Sequence, residues 1–445
     1  MGAKLAVAWI VTLAAMLQVG GQPAWGADAW PDLERESAAL VPDLELLYED
    51  IHRNPELSGA ERRTSSRLAS ELRTLGFSVD DRFGGEGVFG VVGVLENGPG
   101  PTVMMRTETD ALPVVEQTGA SYASTVRITD PSGDEVGVMH ACGHDIHMVS
   151  VIGAARLLAA HRESWSGTLM VVAQPDEERG RGAKALLEAG LFEKFPRPDF
   201  LLALHVDAQL AVGKLGYTEG FIRANVNSVD IVVNGKGGHG AYPEYANDPV
   251  PAAAAIISAL QTIVSREVSP LDSAVVTVGT VHGGTKRNVI PGSVKLELTV
   301  RTYSDATRVA VLDSIERVAT STARSYGLPE PQVVVLERYT PAAYNTPELV
   351  RRLVARFDTV FGPGNVVSRN PTMGGDDFGR YGREEPRIPS VMLRLGSVDE
   401  QLLKDPDSLP SLHSPTFLPD KAAIENGVIA MSAALLELLG RPDAR

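Results

Sequence analysis

Ten residues, Met139 to Met148, hold the only cysteine of a 445-residue chain and three of its nine histidines. Thiolate, imidazole and carboxylate are the groups that bind borderline divalent metals. Cys142, His144 and the neighbouring Asp145 are therefore the first place to look for chemistry. A lone buried cysteine behaves as a small apolar residue, so a metal site here needs ligands from elsewhere in the chain. Three segments offer them: Glu108-Thr109-Asp110, Asp176-Glu177-Glu178 and His205-Val206-Asp207. Taken singly, an acidic run is an ordinary solvated loop. What matters is whether the fold brings the segments together.

The elements around them alternate. Apolar residues at helical spacing run from about Glu34 to Leu75, with Gly76 as the stop. Short apolar runs then read as buried strands at Val88 to Leu95, Thr102 to Arg106, Gly167 to Ala173 and Phe200 to Leu204, with helices at His147 to His161 and Ala183 to Phe192 between them. This alternation predicts an α/β domain on a mostly parallel sheet. The middle of the chain reads β-α-β-β-α-β: strands at Asn227 to Asn234, Ala274 to Val281, Ser293 to Tyr303 and Gln332 to Leu336, and helices at Pro249 to Arg266 and Ala306 to Tyr326. That is the order of a ferredoxin-like unit. The tail then completes the first domain with a helix near Glu348 to Phe361, a strand at Ser390 to Leu395 and a helix at Lys421 to Leu439. The expected division is 30–222 and 336–445 for the catalytic domain, with 223–335 as the inserted unit.

Ligands of open α/β sheets bind at the carboxyl ends of the strands. The 102, 167 and 200 strands end in Glu108 and Asp110, in Glu177 and Glu178, and in His205, and Cys142 and His144 precede a helix. Acidic loops seldom meet His and Cys at three strand ends by chance. Cys142, His144, Glu178 and His205, with one more imidazole, make a ligand set for two metals. His413 is a candidate for that imidazole, although spacing alone does not separate it from His282 or His161. Asp110 and Asp145 are candidates to orient ligand imidazoles or to cap turns. His140 and His147 are weaker candidates for the same role, with exposure to solvent at a helix start as the alternative for His147, and His52 is expected to pack structurally.

A formal net charge of −15 argues against nucleic acid or an anionic membrane surface as partner. Lys4, the apolar run Leu5 to Leu17 and small residues at Ala24 to Ala29 read as a secretory signal over residues 1–29. The mature chain is therefore expected in the periplasm or secreted. No other segment is expected to approach membrane-spanning length. A single cysteine in an exported chain forms no disulfide within it, and a metal-bound thiolate is sheltered from oxidation.

Several motifs together carry a resemblance: His52-Arg53-Asn54-Pro55-Glu56, Asp110-Ala111-Leu112-Pro113, Met139 to Asp145, Gln174 to Glu178, Leu204-His205-Val206, Gly235-Lys236-Gly237-Gly238-His239, Asn288-Val289-Ile290-Pro291 and Asp377-Phe378. The chain resembles the di-metal amidohydrolases of the aminoacylase, hippurate hydrolase and indoleacetyl-amino-acid hydrolase group. These lie within the metallopeptidase family that includes glutamate carboxypeptidase. The resemblance implies that Cys142, His144, Glu178, His205 and His413 hold two divalent ions (zinc or manganese, or cobalt), with Glu177 as general base. It implies that His239 stabilises the transition state or binds substrate, in its own or a dimer partner's active site, and that Asn288 reaches the substrate. It also implies a homo-oligomer built through the inserted domain. The chain departs from the usual pattern at Glu108, at Asp376 and at Ile146. The activity implied is hydrolysis of an N-acyl amino acid or short peptide by a metal-activated water. A dipeptidase or carboxypeptidase on the same site, and a non-catalytic binding protein on a hydrolase fold, are the competing expectations.

Overall fold

A computed structural model describes residues 32–129, 133–405 and 409–440; the expected signal at 1–29 lies outside them. Among the described residues the chain folds around two large sheets, with three two-stranded ribbons beside them. The larger has eight strands in the order Ser78–Phe83, Gly90–Asn97, Gly167–Gln174, Thr102–Glu108, Phe200–Ala211, Ser390–Val398, Leu215–Tyr217, Val366–Ser368. Its four central strands, from Gly167–Gln174 to Ser390–Val398, run parallel, and their neighbours on both sides are antiparallel. The α/β expectation therefore holds, with the parallel part confined to the centre. That is where burial on both faces demands continuous apolar runs, and Ser390–Val398 is buried at every position.

Helices cover this sheet. Leu33–Arg53 starts at Asp32, whose carboxylate accepts the Arg35 N–H, and carries acids in its first turn and His52 and Arg53 in its last, as the helix dipole favours. It buries Leu44, Leu47, Tyr48 and Ile51, one face at helical spacing. His144–Ala160 is apolar nearly all round and lies inside the core. The closing helix, Ala422–Leu439, corrects an expectation: by length and composition it passes for a membrane span, yet 83% of it is buried within the protein. It packs on Leu33–Arg53 and His144–Ala160, so its apolarity is that of a core helix.

The second sheet has four antiparallel strands in the order Ala274–His282, Ser293–Thr302, Asn225–Asn234, Gln332–Thr340. This is the ferredoxin-like order 2-3-1-4, read from the β-α-β-β-α-β sequence. Strict alternation along Asn225–Asn234 buries Val229, Ile231 and Val233 against Ile256 and Leu260 of the Pro249–Thr262 helix and Val311 and Ile315 of Asp305–Ser325. The first of these helices runs on as a single π turn, Ile263–Glu267.

Candidate metal centre and active site

Four segments converge at the carboxyl edge of the central strands. The first is the turn before the His144–Ala160 helix, pinned by reciprocal backbone bonds between Leu112 and Met139. Its Gly143 has φ +76°, and a Cβ there would lie 2.6 Å from Val206, so only glycine permits both the turn and the approach. The second is the acidic loop after Gln174. Asp176 sits at φ +56°, its N–H donating to Glu61 at 2.8 Å, and the Glu178 N–H donates to Asp110 Oδ2 at 2.9 Å. The third is His205. Its strand, expected to end at Leu204, continues to Ala211, so His205 lies within it. The fourth is the loop carrying His413, whose N–H donates to Ala141 O at 2.8 Å and whose φ is +67°.

Together these segments gather all five expected ligands. Cys142 Sγ lies 3.2 Å from His413 Nε2 and 3.6 Å from His205 Nε2. Glu178 Oε1 is 3.5 Å from His413 Nε2 and 3.9 Å from His144 Nε2. Donor atoms fall into trios within 4.8 Å of one another: Cys142, His144 and His205; Cys142, Glu178 and His413; His144, Glu177 and Glu178. The first two trios share the cysteine.

The imidazoles are aimed. His144 Nδ1 is 2.8 Å from Asp110 O, and His205 Nδ1 is 2.8 Å from Val206 O. A carbonyl only accepts, so both Nδ1 atoms carry the proton and both Nε2 lone pairs point into the cluster. His144 Nε2 and Glu178 Oε1 are buried without a hydrogen-bond partner. Burial, helped by the Glu178 carboxylate, pushes the Cys142 thiol up. Burial likewise holds His205 well below the usual imidazole range, with Arg223 adding to it. Orphaned lone pairs on soft and borderline donors, beside an excess of carboxylate, fit a pair of divalent cations.

Glu177 belongs to one trio and also faces Asp376 and Asp377. Burial and then the Asp376 carboxylate hold its carboxyl well above the usual range. Among the described residues the Glu177, Asp376 and Asp377 group already has a cation. Arg106, 1% exposed, donates to Asp376 and Asp377 at 3.0 Å each, to Gln174 at 3.0 Å and to Glu108. Burial and the neighbouring Asp376 raise Asp377 to about 6, although Arg106 opposes the shift.

No spacing in the chain announces this network: Glu108, expected as a possible ligand at its strand end, and Asp376, a departure from the usual pattern, both meet on Arg106.

Other expectations need correction. Asp145 does not orient a ligand imidazole: its Oδ2 lies 2.6 Å from His52 Nδ1, and its Oδ1 accepts the Ile146 N–H. His52 Nε2 is 3.1 Å from Glu116, and the rings of Tyr48 and Tyr122 stand 5.5 and 5.2 Å away. Burial opposes a charge there, but the two carboxylates lift His52 to about 9. Asp110 does meet the imidazole of the expected ligand His144, its Oδ1 3.5 Å from His144 Nδ1. His147 does not face solvent and is fully buried. His239 and Asn288 sit together on an exposed tongue in which Gly238–His239 pairs with Val289–Ile290. Among the described residues neither bonds to a member of the cluster.

A family profile described as peptidase family M20/M25/M40 matches residues 104–437. Thermostable carboxypeptidase 2 of Saccharolobus solfataricus is 33% identical over 383 residues, covering 85% of this chain and 91% of its own. N-acetyldiaminopimelate deacetylase of Limosilactobacillus reuteri is 36% identical over 347 residues, covering 77% and 84%. Among solved structures, a Bacillus subtilis protein described as a dinuclear metal binding peptidase of the M20 family superposes with a TM-score of 0.74 at 29% identity, covering 90% of this chain and 99% of its own.

Proposed function

The chain belongs to peptidase family M20/M25/M40 and is a metal-dependent hydrolase of amide bonds; we propose that it cleaves N-acyl amino acids, with Cys142, His144, Glu178, His205 and His413 holding two divalent ions and Glu177 as the general base. The observation that carries this reading is the pair of donor trios sharing Cys142, with a second glutamate carboxylate in reach of His144. Zinc, manganese and cobalt all suit such a mixed shell.

Cations held there supply Lewis acidity and bring the pKa of a water toward neutrality. The protein does the rest. Asp110 and Val206 fix the ligand tautomers. Glu178 and Glu177 leave the strand end on adjacent residues, one given to the centre and the other free to move a proton. Glu177 takes that proton from the attacking water and returns it to the leaving amine nitrogen. His239 and Asn288, exposed on their tongue, are placed to serve the centre of a second copy, stabilising charge that develops on the substrate oxygen. That role requires a homodimer through the inserted unit. The signal-like N-terminus supports export.

Elemental analysis and a substrate panel test the proposal. The expected result is about two transition-metal ions per chain and hydrolysis of N-acyl amino acids. Protein that takes up no metal refutes it. A second reading, carboxypeptidase or dipeptidase action at the same centre, draws support from the Saccharolobus relative's name. Cleavage of peptides with N-acyl amino acids left intact selects that reading.

A further inference from the structure

The central sheet splits at its carboxyl edge. The Phe200–Ala211 strand pairs with Thr102–Glu108 only as far as Ala203 opposite Arg106. On its other side it stays paired with Ser390–Val398 out to Ala211. Backbone groups that face the split need other partners, because a buried N–H without an acceptor is costly. Val206 is such a group, and its N–H donates to His147 Nε2 at 2.9 Å. An amide N–H only donates, so Nε2 carries the lone pair and the proton resides on Nδ1. That proton is directed at Glu108 Oε2, 3.0 Å away. The other Glu108 oxygen accepts from Arg106. All three side chains are buried.

The His147 ring is also wedged between two imidazoles of the cluster, its centroid 5.4 Å from that of His144 and 4.7 Å from that of His205. With both nitrogens committed, it is no ligand itself, although Glu108, His144 and His147 have the spacing of a cation site. It joins the helix that bears His144 to the strand that bears His205.

We propose that His147 is a positioning residue of the metal centre: held in a single tautomer by Glu108, it takes the place of the missing strand at Val206 and so sets the separation of His144 and His205. This rests on the reading of those two histidines as ligands. The variants divide the role between its two nitrogens. Gln offers an amide oxygen near the Nε2 position, whereas the shorter Asn reaches only toward Glu108.

Metal stoichiometry and affinity are measured on wild type, H147Q, H147N and H147A, by elemental analysis and by competition for zinc and manganese against a chromophoric chelator. H147N and H147A are expected to bind about 10–100-fold more weakly, with H147Q nearest to wild type. Affinity unchanged in all three, with only their melting temperatures lowered, overturns the proposal, as does H147N binding better than H147Q. Nitrogen-15 spectra of the wild type keep the test independent of variant folding. They are expected to show a neutral ring protonated at Nδ1, and an Nε2–H tautomer or an imidazolium overturns the proposal. A wild type that binds no metal refutes the parent reading and this proposal with it, whereas two bound metals with an indifferent H147N refute this proposal alone.

Discussion

Removing the charge of His52 tests the electrostatics of the turn that carries Cys142 and His144. His52 lies between Asp145 at 2.6 Å and Glu116 at 3.1 Å, fully buried, with its proton affinity lifted from 6.5 to about 9. A folded-state pKa above the unfolded value contributes stability that is complete below the unfolded value and disappears as pH rises through the folded one. The full lift corresponds to about 3 kcal/mol. Of this, about 2.5 kcal/mol is present at pH 7 and almost none remains at pH 10. His52→Gln has no such term, while its packing defect does not depend on pH. The difference in denaturant stability between wild type and variant should therefore shrink by about 2.5 kcal/mol between pH 7 and pH 10. Urea unfolding of both proteins across that range, at fixed ionic strength, supplies the measurement. A gap that stays constant with pH, however large, shows that His52 is neutral in the fold and refutes the charged pair.

Three further outcomes follow from the site. Glu177→Gln keeps both metals by elemental analysis but loses about 10²–10⁴-fold in kcat, the usual worth of a positioned base; near-normal turnover removes Glu177 from that role. Stripping metal with a chelator lowers the melting temperature, because ions that bind only the folded state stabilise it, and readdition restores it; scanning calorimetry reads both. Gly182→Ala places a Cβ 1.7 Å from Pro175 O at the base of the acidic loop, so it should cost about 1–3 kcal/mol and depress kcat through displacement of Glu177 and Glu178. Full activity at unchanged stability counts against a rigid loop.

Much of this site is legible in the chain because a simple rule governs it. Strand ends in a parallel sheet share an edge, so Cys142, Glu178 and His205 could be grouped before any coordinates. His413 could not be: it is delivered by an irregular loop at positive φ, and no periodicity marks such a position. The Arg106 network was hidden for a related reason. Its partners at Asp376 and Asp377 are 270 and 271 residues away, and an arginine inside an apolar strand announces burial without naming its acids. For His147 the chain leaves an orienting role and solvent exposure open, because a helix start usually meets water, whereas nearly all of this helix is buried. Asp145 had the right composition for an orienting role, but it turns toward the first helix, and only the packing of His52 decides that.

The central pairing of Phe200–Ala211 with Ser390–Val398 also sets a schedule for synthesis. The earlier strand leaves the ribosome roughly 180 residues before its partner, a wait of about 10–40 s at about 5–20 residues per second. Throughout that interval the apolar first half of this strand, Phe200 to Leu204, has one unpaired edge, which is a template for aggregation, whereas the intervening four-stranded unit has all its own strands once Thr340 is made. Nascent chains arrested before Ser390 should therefore need chaperone cover over their first half and show protease resistance only within residues 225–340. That delay also keeps the first half of the catalytic domain open until the last quarter of the chain is made, whatever compartment the chain folds in.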